Sequence, residues 1–410
     1  MNSVVITGCG LITPLGNSIG EFERRMFAGD SGIRDIRGTL VADNFPVPFA
    51  GIIDDTGLPS AEALGLPSGR NSRGLRYAVL ATRQAVHDFP EGLPLDGIIY
   101  GTPGGVFFEL VVDTYRDIDT DRIQWNRSRA EYLLEVMAKD LAERGHGEIA
   151  PERLISINSA CASGIHCIGM AFQFLKAGLW QRCIVGGIDA GAWESSLMNF
   201  HLLNALTTAD VPAGEASRPF SPDRSGFVKS EAAATLLMET RKSAEQRGAR
   251  ILAEVCGFGL TSDAYRLTDG REDNLSVIRA MEQAIETAGI QKEDIDYISA
   301  HGTSTQLNDR LETMAIKKVF GDHAYKIPVS SLKSQTGHPT VASGAMETVA
   351  CILMFQRQRL APTINFRAGD PECDLDYVPH KSRPAEVKYI LNNAFGFGGQ
   401  NACIVLRKAD

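Results

Sequence analysis

The chain has 410 residues, 44% hydrophobic and 22% charged, with a formal net charge of −9 at pH 7. That length is too great for one ordinary core and suits two core units or a large fused α/β domain. The acidic balance argues against general nucleic-acid binding, which favours a basic face.

The N-terminus, Met1-Asn2-Ser3 followed by Val4-Val5-Ile6, lacks the basic region and long apolar core of a signal peptide. Apolar runs such as Ala232 to Met238 fall far short of a membrane span. The eight cysteines are scattered and form no C-x-x-C pair, so a disulfide framework or a zinc site has little support. A cytoplasmic protein with no membrane segment and no bound metal is expected.

In chain order, Ser3 to Gly8 reads as a strand stopped by glycine. Arg70, Arg73 and Arg76 follow on a polar-to-helical segment, and the polar stretch Asp113 to Arg129 reads as a surface cap. Leu154 to Asn158 reads as a strand leading through small residues into a helix from about Cys161 to Ala177. Ile251 to Gly259 repeats the opening pattern, an apolar run stopped by glycine. Ile295 to Ser299 and Ile327 to Ser331 read as further strands, the second leading into a helix from about Ser343 to Gln358. Tyr389 to Asn393 and Ala402 to Leu406 flank Gly396-Phe397-Gly398-Gly399 as a closing pair of strands. These echoes suggest two related α/β halves, residues 1–250 and 251–410. Chance repetition of a common strand–turn–helix unit is the alternative.

Cys161 stands in Ser159-Ala160-Cys161-Ala162-Ser163-Gly164, where a strand delivers the chain to a predicted helix start. Free N–H groups and the helix dipole there favour the thiolate, and small neighbours leave room for a substrate. A buried cysteine packing as a small hydrophobe is the competing reading. His301 and His338 each follow a predicted strand and sit among glycine and hydroxyl residues. Ligands collect outside the carboxyl ends of strands in open α/β sheets, so the three residues can converge. Each histidine taken singly would more often be structural.

Ser159 to Gly164, Ala300-His301-Gly302-Thr303-Ser304-Thr305, Lys333-Ser334-Gln335-Thr336-Gly337-His338 and Asn393-Ala394-Phe395-Gly396-Phe397-Gly398-Gly399-Gln400-Asn401 occur in order. Together with Ala216 to Phe220 and Thr261 to Tyr265, they resemble the signature segments of the β-ketoacyl-acyl carrier protein synthases. The similarity is to the synthase I/II type, which includes the type II polyketide ketosynthases, and it runs from Val4 to Leu406.

The resemblance implies the thiolase fold, two pseudo-repeated halves in α-β-α-β-α layers, usually as a homodimer. A heterodimer with a related ketosynthase-like subunit is the variant arrangement. It implies that Cys161 takes an acyl chain from a phosphopantetheine thioester of acyl carrier protein, with no other cofactor. His301 and His338 would stabilise the enolate formed when a malonyl thioester loses CO2, because developing negative charge needs donors already in place. Backbone N–H groups of Cys161 and Phe397 would form the oxyanion hole, and the Phe397 ring would gate the acyl-cysteine. Lys333 would hold the histidine region through Glu347, unless that pair is purely structural. Thr303 and Thr305 would bind the pantetheine arm. The acyl pocket is expected past Ile165, Phe200 and the Pro103-Gly104-Gly105 turn. Arg70 and Arg73 are the candidates for docking an acidic carrier, against a plain solvated charged face.

Several positions depart from the family pattern. Pro339-Thr340-Val341 follows His338 in place of a Leu-x-Gly-Ala type stretch. Lys229-Ser230-Glu231-Ala232 replaces a Gly-Glu-Gly-Ala type turn, Ser225 replaces Asp, and Gln400 replaces Thr. Asn204 stands where several fatty-acid members carry Arg. A specialised pathway is favoured over housekeeping fatty-acid synthesis. A catalytically altered partner subunit or a carrier-binding scaffold is the alternative function.

Overall fold

A computed structural model describes residues 2–66, 72–103, 130–266 and 270–410. Arg70, Gly104-Gly105 and the stretch Asp113 to Arg129 lie outside the described residues.

Among the described residues the strands are β1 (Val4–Ile12), β2 (Ile33–Asp35), β3 (Phe49–Gly51), β4 (Gly97–Gly101), β5 (Leu154–Ile157), β6 (Arg182–Asp189), β7 (Ala232–Thr240), β8 (Ala253–Ser262), β9 (Tyr297–Ser299), β10 (Val329–Ser330), β11 (Arg359–Leu360), β12 (Arg383–Pro384), β13 (Tyr389–Gly396) and β14 (Gln400–Lys408). Ten of them form one mixed sheet in the order β10-β9-β13-β14-β8-β1-β7-β6-β4-β5. β2 pairs with β3, and β11 pairs with β12, as two small ribbons.

The large sheet is two copies of one plan joined along β1 and β8. Moving outward from that join, β1-β7-β6-β4-β5 mirrors β8-β14-β13-β9-β10. In each copy the first two pairings are antiparallel and the last two parallel. The helix Ser72–Ala85 packs on β1 and β7, and Leu275–Ala288 packs in the same way on β8 and β14. Between the two halves of the sheet lie the helices Ser163–Lys176 and Ser343–Arg357. These are the α-β-α-β-α layers of the thiolase fold. Ile168, Ala171 and Phe172 of one central helix and Met346, Val349 and Leu353 of the other share one buried core.

The glycines of the opening strands do not stop them. β1 runs through Gly8 and Gly10 to Ile12, with a register shift between Ile6 and Gly8, and β8 runs through Gly257 and Gly259 to Ser262. Their function is close approach. A Cβ on Gly8 or Gly10 would lie 1.9 or 2.1 Å from the Ala85 or Ala81 carbonyl oxygen of the covering helix. A Cβ on Gly257 or Gly259 would lie 2.0 Å from the carbonyl oxygen of Ala284 or Ala280. Both halves therefore seat an outer helix on a strand by removing side chains at alternate positions on one face.

The central helices cross at a second glycine pair. A Cβ on Gly164 would meet Ala345 N at 2.7 Å, and one on Gly344 would meet Ile165 N at 2.8 Å. Of the small residues around Cys161, Gly164 makes room for the opposite helix and not for a substrate. This contact brings the two helix starts together, and with them the segments that carry Cys161 and His338.

Candidate active site

Cys161 precedes the first residue of its helix, Ser163, and follows a tight turn. Ser163 Oγ accepts from Ser159 N at 2.9 Å and donates to Ala160 O at 2.7 Å. Ala160 is held at a φ of 50°, a conformation uncommon for any residue with a Cβ. The turn thus stores some strain to present Cys161 at the strand end.

His301 follows β9 directly, and its loop is pinned by carboxylates of the helix Gln306–Phe320. Glu312 accepts from the N–H groups of His301 and Gly302, both at 2.8 Å, and from Asn393 Nδ2 at 3.1 Å. Burial pushes the Glu312 carboxyl up to about 7 against those three donors. Asp309 accepts from Phe220 N at 2.8 Å and Ser304 N at 3.2 Å. His338 is fixed through its backbone, donating to Val228 O at 2.7 Å and accepting from Ser230 N at 3.1 Å. The proline after it is accommodated by a short 3-10 turn, Thr340–Ala342, ahead of the helix Ser343–Arg357.

The structure brings the three together. The Cys161 sulfur and one ring nitrogen from each histidine lie within 4.8 Å of one another. The two imidazoles meet edge to face with centroids 5.3 Å apart. Nδ1 of His301 and both ring nitrogens of His338 are buried without a hydrogen bond inside the protein. A sulfur and two imidazoles form a donor set that a zinc-like ion can use. Here the ammonium groups of Lys333 and Lys229 act on the Cys161 and His338 positions, and that positive charge opposes a dication.

Burial holds both histidines well below the usual imidazole range, reinforced by Lys333 at each and by Lys229 at His338. They are neutral imidazoles, each with one N–H to donate and one nitrogen to accept. Cys161 behaves differently from the expectation of a favoured thiolate. Burial raises its thiol to about 11, outweighing Lys333, Lys229 and the Phe397 backbone N–H, all of which favour the anion. The resting sulfur is protonated, with neutral imidazoles beside it to take the proton.

Lys333 Nζ donates to Glu347 Oε1 at 2.5 Å, with both side chains 1% exposed. Ser217 of the Ala216 to Phe220 segment donates to the Lys333 carbonyl oxygen at 2.8 Å.

Two cavities meet at Cys161. One of about 290 Å³ is lined by Cys161, Pro103, Asp189, Trp193, Phe200, Lys229, Thr340 and Phe397, among others. The other, of about 230 Å³, is lined by Cys161, His301, Thr303, Thr305, His338 and Phe397, with Asn204 on its wall. Phe397 therefore borders both, with its ring 6.5 Å from that of Phe200. The Gly398 and Gly399 that follow it have φ of 82° and 72°, open only to glycine at low cost. The loop is tied down by Gly399 O, which accepts from Asp263 N at 2.8 Å, and by Asn401 Nδ2 donating to Asp263 Oδ1 at 2.7 Å. A Cβ on Gly396 would lie 3.1 Å from Cys161 N, so the loop backbone lies directly against the nucleophile turn.

Not every expected residue faces this space. Ile165 is wholly buried against Gly344 in the central core and lines neither cavity. Arg73 is engaged internally, donating to Glu231 Oε2 at 3.0 Å with its side chain 34% exposed, and Arg76 is paired with Asp55. Ser225 and Gln400 make local contacts, with Thr207 Oγ1 at 2.7 Å and Ser262 Oγ at 3.4 Å. The sequence reading missed Asp189, Glu312 and Thr340 as site residues. Lys229 and Thr340 were visible in it only as departures from the pattern.

Two family models match the chain: "Beta-ketoacyl synthase, N-terminal domain" over residues 153–244 and "Beta-ketoacyl synthase, C-terminal domain" over 252–367. A 3-oxoacyl-[acyl-carrier-protein] synthase 2 of Synechocystis sp. is 36% identical over 99% of this chain and 98% of its own length. A putative polyketide beta-ketoacyl synthase 1 of Streptomyces cyaneus is 33% identical over 98% of this chain and 97% of its own. Among solved structures, a ketosynthase described as bound to the hexaketide, in complex with its type II PKS acyl-carrier protein, superposes with a TM-score of 0.86 at 30% identity. The ishigamide ketosynthase/chain length factor does so with 0.86 at 32%, and both matches cover 100% of each chain.

Proposed function

This chain belongs to the β-ketoacyl synthase family, as an acyltransferase of the 3-oxoacyl-acyl carrier protein synthase kind, and from that premise we propose which residues carry each step. The reaction is the decarboxylative condensation of a malonyl thioester with an acyl chain, in fatty-acid or specialised polyketide synthesis. The observation that carries the residue assignment is the Cys161, His301 and His338 cluster within 4.8 Å, set where two cavities meet.

In the first half-reaction the acyl-pantetheine arm enters the Thr303 and Thr305 cavity. As the Cys161 sulfur attacks the thioester carbon, its proton passes to a neutral imidazole and leaves on the pantetheine sulfur. The oxygen that becomes negative is held by the N–H groups of Cys161 and Phe397. The acyl chain then occupies the cavity beside Phe200, with Phe397 as the gate between the two spaces.

In the second half-reaction a malonyl thioester takes the arm's place. Loss of CO2 leaves an enolate whose oxygen accepts from the N–H groups of His301 and His338. The α-carbon attacks the acyl-cysteine carbonyl, and collapse of the adduct expels the Cys161 sulfur and leaves a 3-oxoacyl thioester on the carrier. Burial keeps both imidazoles neutral, and Lys333, held by Glu347, reinforces it by its charge. Cys161, His301 and His338 are buried, so these donors act in a medium where each is worth more than in bulk solvent.

The thiols resolved in the structure are free, which supports a reducing compartment, the cytoplasm. The proposed assembly is a homodimer, with a heterodimer including a related subunit as the variant. The proposed split between the halves lies between residues 250 and 251. Arg70 and Arg73 are the proposed carrier-docking residues, and Arg73 doubles as the partner of buried Glu231. Arg70→Glu should weaken carrier affinity and flatten its salt dependence; unchanged affinity places docking elsewhere. Intact-protein mass spectrometry after incubation with acyl carriers tests the central assignment, because the acyl mass should be added on Cys161 and be absent from Cys161→Ala.

A further inference from the structure

We propose that the buried Lys229–Asp189 pair, with Thr340, makes the acyl cavity select acyl groups that carry a carbonyl or hydroxyl oxygen close to the thioester, over saturated chains of the same length. The inference rests on Cys161 being the acyl acceptor. Lys229 Nζ donates to Asp189 Oδ2 at 2.6 Å, with side chains 2% and 3% exposed, and both residues line the cavity on the acyl side of Cys161.

Both carboxylate oxygens of the aspartate are engaged. Its Oδ1 accepts from Gly191 N at 2.8 Å, and its Oδ2 takes the Thr340 hydroxyl as well as Lys229. The ammonium is less well served. It has three protons to give, and among the described residues its acceptors are Asp189 Oδ2 and, at 3.3 Å, Ser230 O. A third donor on the cavity wall is left for whatever fills the cavity.

Stability does not account for such a pair. Two charges taken out of water gain little over well-packed apolar side chains of the same volume. A saturated acyl chain would displace solvent from the ammonium and return no acceptor, the costly way to bury a polar group. An oxygen on the chain supplies the acceptor. Lys229 and Cys161 line one cavity and the ammonium acts on the Cys161 thiol, so the oxygen it meets lies near the thioester end of the chain.

The test measures acylation of Cys161 in the full chain by hexanoyl-, 3-hydroxyhexanoyl- and 3-oxohexanoyl-pantetheine, read by mass spectrometry over time. The wild type should react at least about tenfold faster with the oxygenated chains. Lys229→Met combined with Asp189→Asn removes both charges without stranding either. It should bring the three rates to near parity, a ratio from which any common change in the Cys161 thiol on losing the two charges cancels. A wild type that shows no preference, a result that needs no variant, overturns the inference, as does a folded double variant that keeps the preference. Failure of all three thioesters to acylate Cys161 instead overturns the acyl-acceptor assignment beneath it.

Discussion

Gly164 and Gly344 face each other where the two central helices cross, each leaving room for the backbone of the other helix and too little for a methyl group. The crossing sets how closely the Cys161 turn approaches the His338 segment. Gly344→Ala should therefore push the helix starts apart. Overpacking of this kind costs about 1–3 kcal/mol, readable as a lower denaturation midpoint, and acylation of Cys161 should slow in the fraction that remains folded. Full activity at unchanged stability would show that the crossing does not position the site.

Phe397 borders both cavities from a loop whose backbone is anchored through Asp263, so any gating falls to its ring. Phe397→Ala should slow acyl transfer to Cys161 by about tenfold or more while the thermal midpoint stays within a few degrees. Acylation kinetics equal to the wild type would remove the ring from the mechanism.

Because burial raises the Cys161 thiol to about 11, little thiolate exists at neutral pH. Alkylation of Cys161 by iodoacetamide, followed by peptide mass spectrometry, should accelerate about tenfold per pH unit and level off only near that value. Lys333 and Lys229 pull the other way, so Lys333→Met paired with Glu347→Gln should raise the thiol further and slow alkylation at pH 8. A rate that levels off near neutral pH would mean that the helix start and the lysines outweigh burial.

Much of this was legible in the sequence, because the chemistry lies in short contiguous segments. Cys161 and His301 lie just past the ends of β5 and β9, and strand ends converge in an α/β sheet wherever the order places them together, whereas a helical turn, Lys333–Thr336, separates β10 from His338. The repeat of strand, turn and helix at residues 154–177 and 327–358 foreshadowed the two halves, with element ends shifted by a few residues. Glycine was harder to read. Gly8, Gly10, Gly257 and Gly259 read as stops, because the letter alone does not distinguish a turn from a close packing contact. Glu312 and Asp189 escaped notice because their partners lie in other segments, and pairing across the fold leaves no periodic trace. Lys229 did leave a signal, as part of a Lys229-Ser230-Glu231-Ala232 stretch that departs from the pattern the resemblance implies. Ile165 misled because a helix that starts at the nucleophile has several faces, and this one turns toward the opposite helix.

The decisive measurement separates the two half-reactions by following CO2 release from malonyl-carrier. Cys161→Ala should form no acyl-enzyme and condense nothing. Cys161→Gln places an amide carbonyl near the Cys161 and Phe397 N–H groups, so it should keep or raise CO2 release while condensing nothing. Replacing His301 or His338 by Ala in that Gln background should suppress release by about 100-fold or more, the loss expected when an oxyanion donor is removed. If neither the wild type nor Cys161→Gln releases CO2, or if release in the Gln background survives loss of both histidines, these residues do not carry out the condensation assigned to them.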